Sequence, residues 1–177
     1  EGDKVLYLDP DIAVFSRLDD IISALDAASI VLTPHQTQAE DGLAAIVDNE
    51  ICSLKHGIYN LGFIGVRKGD VGDQFASWWS KRCYFFCRDD IANGLFTDQR
   101  WIDLVPALFS EVAILRSSRF NLATWNITTR NLNQSETGEF MVDGQPLGFY
   151  HFTGFDSGTH RIMAAKNGDN NPALERL

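Results

Sequence analysis

Asp9 and Asp11 stand one residue apart where the apolar run Val5-Leu6-Tyr7-Leu8 ends, with Pro10 between them and Ile12-Ala13-Val14 beyond. Two carboxylates a few Å apart repel unless a cation or a shared proton intervenes. In an extended backbone alternate side chains point the same way, so the pair is expected on one side of a strand end. Pro10 fixes its own φ and removes a donor, so strand pairing is expected to stop there. Oxygen ligands of this kind suit Mg²⁺ or Mn²⁺, which keep open positions for phosphate oxygens. An Asp-rich turn would produce the same residues without chemistry, but such a turn does not require the long hydrophobic lead-in.

The elements that must position this pair are α/β in class. The β-prone run from Lys4 to the Asp pair precedes a helix that starts near Arg17-Leu18-Asp19-Asp20, with its acids in the first turn, and runs to about Ala28. Ser29–Thr33 reads as a strand closed by Pro34-His35, and residues 36–49 as a less periodic stretch with room for a short helix. A second clear strand covers Ile58–Arg67; Gly62 and Gly65 inside it suggest a bulge or a close approach. Phe75, Trp78, Trp79 and Arg82 or Cys83 recur at helical spacing over 70–86, so the tryptophans are expected in a core rather than on a sugar platform. Thr97 is placed to cap a helix over 98–109 that Pro106 should kink or shorten. Val112–Leu115 reads as a short strand and residues 121–138 as loop with at most brief structure. Phe140–Val142, Asp143-Gly144 and Leu147–Phe152 read as a hairpin. The domain is expected over 1–164, with 165–177 a polar tail or linker.

At 177 residues and 45% hydrophobic content the chain can bury a sizeable core. A net charge of −9 argues against a nucleic-acid surface, which needs clustered Lys and Arg. No run approaches the ~18 apolar residues of a membrane span, and since the sequence opens almost directly on the first strand, a protein without a secretory leader is expected. The three cysteines Cys52, Cys83 and Cys87 lack zinc-type spacing and are expected as buried free thiols of a reduced, cytoplasmic protein. Asn126-Ile127-Thr128 and Asn133-Gln134-Ser135 match the N-glycosylation pattern, read as chance in an Asn-rich loop.

Four blocks in order resemble glycosyltransferases of the GT-A fold, particularly the glycogenin and galactosyltransferase group. Tyr7-Leu8-Asp9-Pro10-Asp11-Ile12-Ala13-Val14 is similar to that family's metal-binding Asp-x-Asp block. Tyr59-Asn60-Leu61-Gly62-Phe63-Ile64 resembles its strand beside the donor sugar. Phe96-Thr97-Asp98-Gln99 resembles its Asp-Gln pair near the sugar, and Tyr150-His151-Phe152-Thr153-Gly154 its late His-x-x-Gly block. The order, rather than any one block, carries the likeness. It implies the C-terminal part of a GT-A-type fold, a mixed sheet flanked by helices. It implies a transferase acting on a nucleotide diphosphosugar, a UDP-sugar foremost, toward an unknown carbohydrate, protein or lipid-linked acceptor. Asp9, Asp11 and His151 would hold Mn²⁺ or Mg²⁺, the imidazole neutral and so lost as a ligand at acid pH. Asn60, Gly62, Asp98 and Gln99 would face the sugar, as would Asn121, Trp125 and Asn126, which join an aromatic face to amides. Asp98 reads equally as an acid on a helix dipole.

The chain departs from the family pattern in two places. The late block usually continues to a Lys on the diphosphate; here Arg161 is the substitute, with Gly154 beside it. The nucleotide-binding half that precedes the Asp-x-Asp strand is not in this sequence, so further polypeptide and base contacts are expected elsewhere. The resemblance leans toward retaining enzymes, and no catalytic base is assigned. A haloacid-dehalogenase-type phosphatase is the rival enzyme, with Asp9 as nucleophile and Asp11 as acid or base. It fits less well: Ala13 stands where Thr or Val is usual, Lys81 sits mid-helix, and Asp89-Asp90 follows no clear strand. A non-catalytic carbohydrate-binding or interaction module is the third reading.

Overall fold

Tyr59–Arg67 is the longest strand, buried on both faces through Gly65, and the first compact unit is built on it. The structure is a computed structural model that describes residues 2–168 and 171–177. This first unit comprises the chain up to Asp9, Leu18–Pro34 and Cys52–Leu115. Its four-stranded sheet runs in the order Lys4–Leu8, Tyr59–Arg67, Ile30–Pro34, Val112–Ile114. The first two pairings are antiparallel and the third parallel, so the class is mixed α/β. The expected irregularity falls within Tyr59–Arg67: Leu32 pairs with Ile64 but Pro34 with Tyr59, so the surplus residues lie on this strand, across the stretch that holds Gly62. Gly65 does mark a close approach. A Cβ there would lie 3.2 Å from Leu6 Cδ2 and 3.3 Å from both Leu25 Cδ1 and Val31 Cβ.

Helix Asp70–Phe86 packs Phe75, Trp78 and Trp79 against Ile30, Leu32, Tyr59 and Leu61, as its periodicity requires. Phe75 stacks on Trp79 at 5.6 Å. Helix Asp19–Ala27 buries Ile21 and Leu25. The helix expected over 98–109 is broken instead. Thr97 ends the hairpin strand Leu95–Thr97 at φ +46° and caps nothing. A 3-10 helix Arg100–Leu104 follows, then a single α-turn Val105–Leu108 with Pro106 at its start. Proline is tolerated there because the missing N–H would be unpaired anyway.

The second unit comprises Pro10–Arg17, His35–Ile51 and Arg116–Leu177. Asp143-Gly144 turns as expected, with φ of +48° and +78°, but the strand it closes on Phe140–Val142 is Gln145–Pro146. Two successive positive φ values match the twist of a two-residue hairpin. Leu132–Gln134 pairs with the other edge of Phe140–Val142, inside the stretch expected as loop. Phe149–His151 therefore leaves the hairpin and pairs antiparallel with Ile12–Val14. On its other side Leu122 bridges Tyr150. That pairing buries Asn121, Leu122, Ala123, Thr124 and Asn126. The core of this unit gathers Leu122, Ile127, Leu132, Val142, Leu147 and Tyr150.

Helix Thr159–Asn167 crosses into the segment expected as a polar tail, where Ala173 is buried and Leu174 and Leu177 pack on the same core. Residues 169 and 170 of that segment lie outside the described residues. All three cysteines are free thiols, but Cys52 and Cys87 are exposed rather than buried. Among the described residues no helix is long and apolar enough to cross a membrane.

Candidate functional site

The two carboxylates are held by different devices. Asp9 extends the sheet one residue beyond Leu8: its N–H donates to Gly62 O at 2.8 Å. Tyr7, two residues earlier on the same side of the strand, donates its hydroxyl to Asp9 Oδ1 at 2.6 Å. Pro10 and Asp11 then form a turn, so alternation along an extended backbone is not what relates Asp11 to Asp9. Only Pro10 separates them, which by chain geometry keeps their Cα atoms within about 7 Å.

Asp11 is placed by the second unit. In the register of Phe149–His151 on Ile12–Val14, His151 lies opposite Ile12, and Phe152 N–H donates to Asp11 O at 2.8 Å. This pairing brings Asp11 Oδ1 to 3.1 Å from His151 Nε2. The imidazole is buried, whereas the Asp11 side chain is 38% exposed. His151 N–H is anchored on Leu122 O at 2.8 Å. Its ring meets Trp125 edge to face at 5.3 Å, and Trp125 meets His35 the same way at 5.4 Å. The Trp125 Nε1 donor is buried and finds no partner among the described residues.

Asp11 opens into a cleft of about 640 Å³ lined also by Pro10, Phe152, Gly154, Asp156 and Ser157. Gly154 lies in the left-handed region at φ +74° and accepts from Ser157 Oγ at 3.1 Å and His160 N at 3.1 Å. A second cleft of about 580 Å³ holds Arg161, His160 and Glu175, with Phe152 and Phe155 common to both. Tyr150 OH meets His160 Nε2 at 3.0 Å. Burial pushes the Tyr150 phenol well above its ordinary value and pulls the His160 imidazole down. Tyr7, Phe155 and His160 were not singled out from sequence; Tyr7 alone carried a signal, its i, i+2 spacing to Asp9.

The amides expected on a sugar are differently employed. Gln99 is buried; its Oε1 accepts from Leu61 N at 3.0 Å and its Nε2 donates to His56 O at 3.0 Å. Asn126 is fully buried. It accepts from Ala123 N at 3.1 Å and donates to His35 O and Asn121 O at 2.9 Å each. Both side chains bind backbone. Buried as it is, Asn126 offers no acceptor for a glycan. Asn60 and Asn121 are buried, Asn121 at φ +53°, while Asp98 is half-buried and accepts from Trp79 Nε1 at 3.1 Å through its carbonyl. The first unit thus carries Asp9, Asn60, Gly62, Asp98 and Gln99, and the second Asp11, Asn121, Trp125, Asn126, His151, Gly154 and Arg161.

The chain is similar to two proteins of Bacillus subtilis (strain 168). It is 29% identical over 155 residues to the uncharacterized protein YfnF and 30% identical over 159 residues to the uncharacterized protein YfnD. Each match covers 88% of this chain and 48% of the relative, so the chain spans about half the length of the curated relatives it matches. No family model matches, and no solved structure matches.

Proposed function

We propose that the chain is the metal-site portion of a GT-A-type glycosyltransferase that transfers a sugar from a nucleotide diphosphosugar. The observation that carries this reading is the 3.1 Å approach of Asp11 Oδ1 to His151 Nε2 at the edge of a cleft large enough for a phosphorylated sugar. Asp11 and His151 offer a carboxylate oxygen and a ring nitrogen to one divalent ion, and Asp9, with only Pro10 between it and Asp11, is the other carboxylate of the expected Asp-x-Asp set. Two carboxylates and one imidazole leave positions open for diphosphate oxygens, which suits Mn²⁺ or Mg²⁺. Such an ion supplies Lewis acidity where negative charge develops on the departing diphosphate.

The chain's own residues do the positioning. Gly62 and Tyr7 fix Asp9 from main chain and side chain. Trp125 packs edge to face on the His151 ring and Leu122 O accepts from the His151 main-chain N–H, which limits how the imidazole can turn. The Asp11 oxygen and His151 nitrogen that face each other at 3.1 Å would be the atoms to hold the ion, and protonation of the imidazole would remove it as a ligand.

The test is thermal stability of the chain with Mn²⁺, with and without UDP. A ligand at ~100 times its dissociation constant stabilises by about 2.7 kcal/mol, or roughly 5–10 °C for a chain of this size. The reading expects Mn²⁺ to stabilise the chain, UDP to add to the shift only when Mn²⁺ is present, and Asp11→Ala to remove both effects. Mn²⁺ stabilisation unchanged by Asp11→Ala would contradict it. A beryllium-fluoride-trapped adduct on Asp9 would assign the chain to phosphoryl transfer instead.

A further inference from the structure

Arg161 lines a different cleft from Asp11 and Gly154. The second cleft, of about 580 Å³, is lined by Phe155, His160, Arg161 and Glu175 among others. The Phe155 side chain is 65% exposed and meets Phe152 edge to face at 6.0 Å. His160 completes the aromatic group, its ring 5.4 Å from Phe152 and 6.0 Å from Phe155. Phe152, Leu174 and Leu177 form an apolar floor continuous with the core of the second unit.

The charge of this cleft decides what it can hold. Arg161 and Glu175 carry opposite charges and cancel. Burial lowers the His160 pKa from 6.5, so the ring is neutral at pH 7. A phosphate would meet one cation together with a carboxylate that repels it. A neutral polyhydroxylated ring meets what it needs: an aromatic face for its C–H surface, a guanidinium fork and a carboxylate for its hydroxyls. We propose that this second cleft is a pyranose-binding subsite, with Phe155 as the stacking face and Arg161 and Glu175 as hydroxyl partners. Because Phe152 and Phe155 line both clefts, the pyranose lies next to the Asp11 cleft, where an acceptor sugar belongs. The acceptor role rests on the transferase reading; the binding of a pyranose does not.

Saturation-transfer NMR of the chain with methyl α-glucopyranoside, methyl β-galactopyranoside and methyl α-mannopyranoside tests the subsite. Transfer to the ring C–H protons of at least one glycoside is expected without metal and in Asp11→Ala. Phe155→Ser, at an exposed position, should weaken binding roughly tenfold, as loss of one aromatic contact does, and Arg161→Ala several-fold. Absence of transfer from all three glycosides overturns the proposal, as does transfer that survives both variants. Displacement of the glycoside by inorganic pyrophosphate without metal also overturns it, since Arg161 would then be a phosphate ligand. Glycoside binding alongside a failure to bind Mn²⁺ would sink the transferase reading and leave the subsite standing.

Discussion

Replacing Gln99 measures whether its amide serves the fold. Its two hydrogen bonds, 3.0 Å to Leu61 N and 3.0 Å to His56 O, tie strand Tyr59–Arg67 to the end of helix Cys52–His56. Gln99→Ala leaves the Leu61 N–H buried without a partner, at a cost of about 1–3 kcal/mol. His56 is only half-buried, so water can recover part of the second bond. The sum is roughly 2–4 kcal/mol, which lowers the melting temperature by about 5–15 °C. Gln99→Glu sharpens the test. It keeps an acceptor for Leu61 N but sets a carboxylate against the His56 carbonyl, so the introduced group holds its proton more tightly folded than unfolded. Its deficit is then full near pH 7 and shrinks as pH falls through the raised folded value toward the unfolded value of about 4.3. Thermal melts of the parent and both variants at pH 7 and pH 5 decide the matter. A change under ~1 °C in Gln99→Ala, or a Gln99→Glu deficit that does not shrink at acid pH, would refute the bridge.

Three further outcomes follow from packing and burial. Asn126→Ala removes three bonds to buried backbone and should cost roughly 2–4 kcal/mol in denaturant unfolding; a change under ~0.5 kcal/mol contradicts the brace. In Gly148→Ala the new Cβ would lie 2.7 Å from Phe120 Cδ1 and 2.9 Å from Arg119 O. Strand Phe149–His151 begins one residue later, so this variant should both unfold more readily and bind Mn²⁺ less tightly; unchanged melting would exclude the clash. Burial pushes the Cys83 thiol up to about 11 from 9.0. At pH 8 a disulfide reagent should therefore titrate Cys52 and Cys87 rapidly and Cys83 slowly. Since the folded value is the higher one, the fold loses stability as pH rises past the unfolded value and through the folded one, and equal reaction of all three thiols at pH 8 would contradict this.

The parts of the fold written in local periodicity were readable from the chain. Phe75, Trp78 and Trp79 announced helix Asp70–Phe86 and its buried face, and the apolar run through Phe63 announced the central strand. Pairings between distant segments were not readable. Phe149–His151 looks like the return strand of a local hairpin, yet its partner is Ile12–Val14, and nothing in either run encodes the other. Burial of residues 121–124 and of Asn126 goes with another distant contact, the bridge of Leu122 to Tyr150 on the other side of that strand. Thr97 shows the limit of capping signals, because a short strand ending at φ +46° took the position first. In the candidate site, the Asp11–His151 pair had a signal in residue type and order. The amides did not divide by type: Gln99 and Asn126 have the donors and acceptors that suit a sugar, and both bind backbone.

The central claim is tested most directly by calorimetric titration of the chain with Mn²⁺ at neutral pH. One ion per chain is predicted, with affinity reduced more than tenfold in Asp9→Ala, Asp11→Ala and His151→Ala alike and weakening at acid pH, where a protonated imidazole cannot ligate. Binding that is absent in the parent chain, or that all three variants retain, would contradict the account.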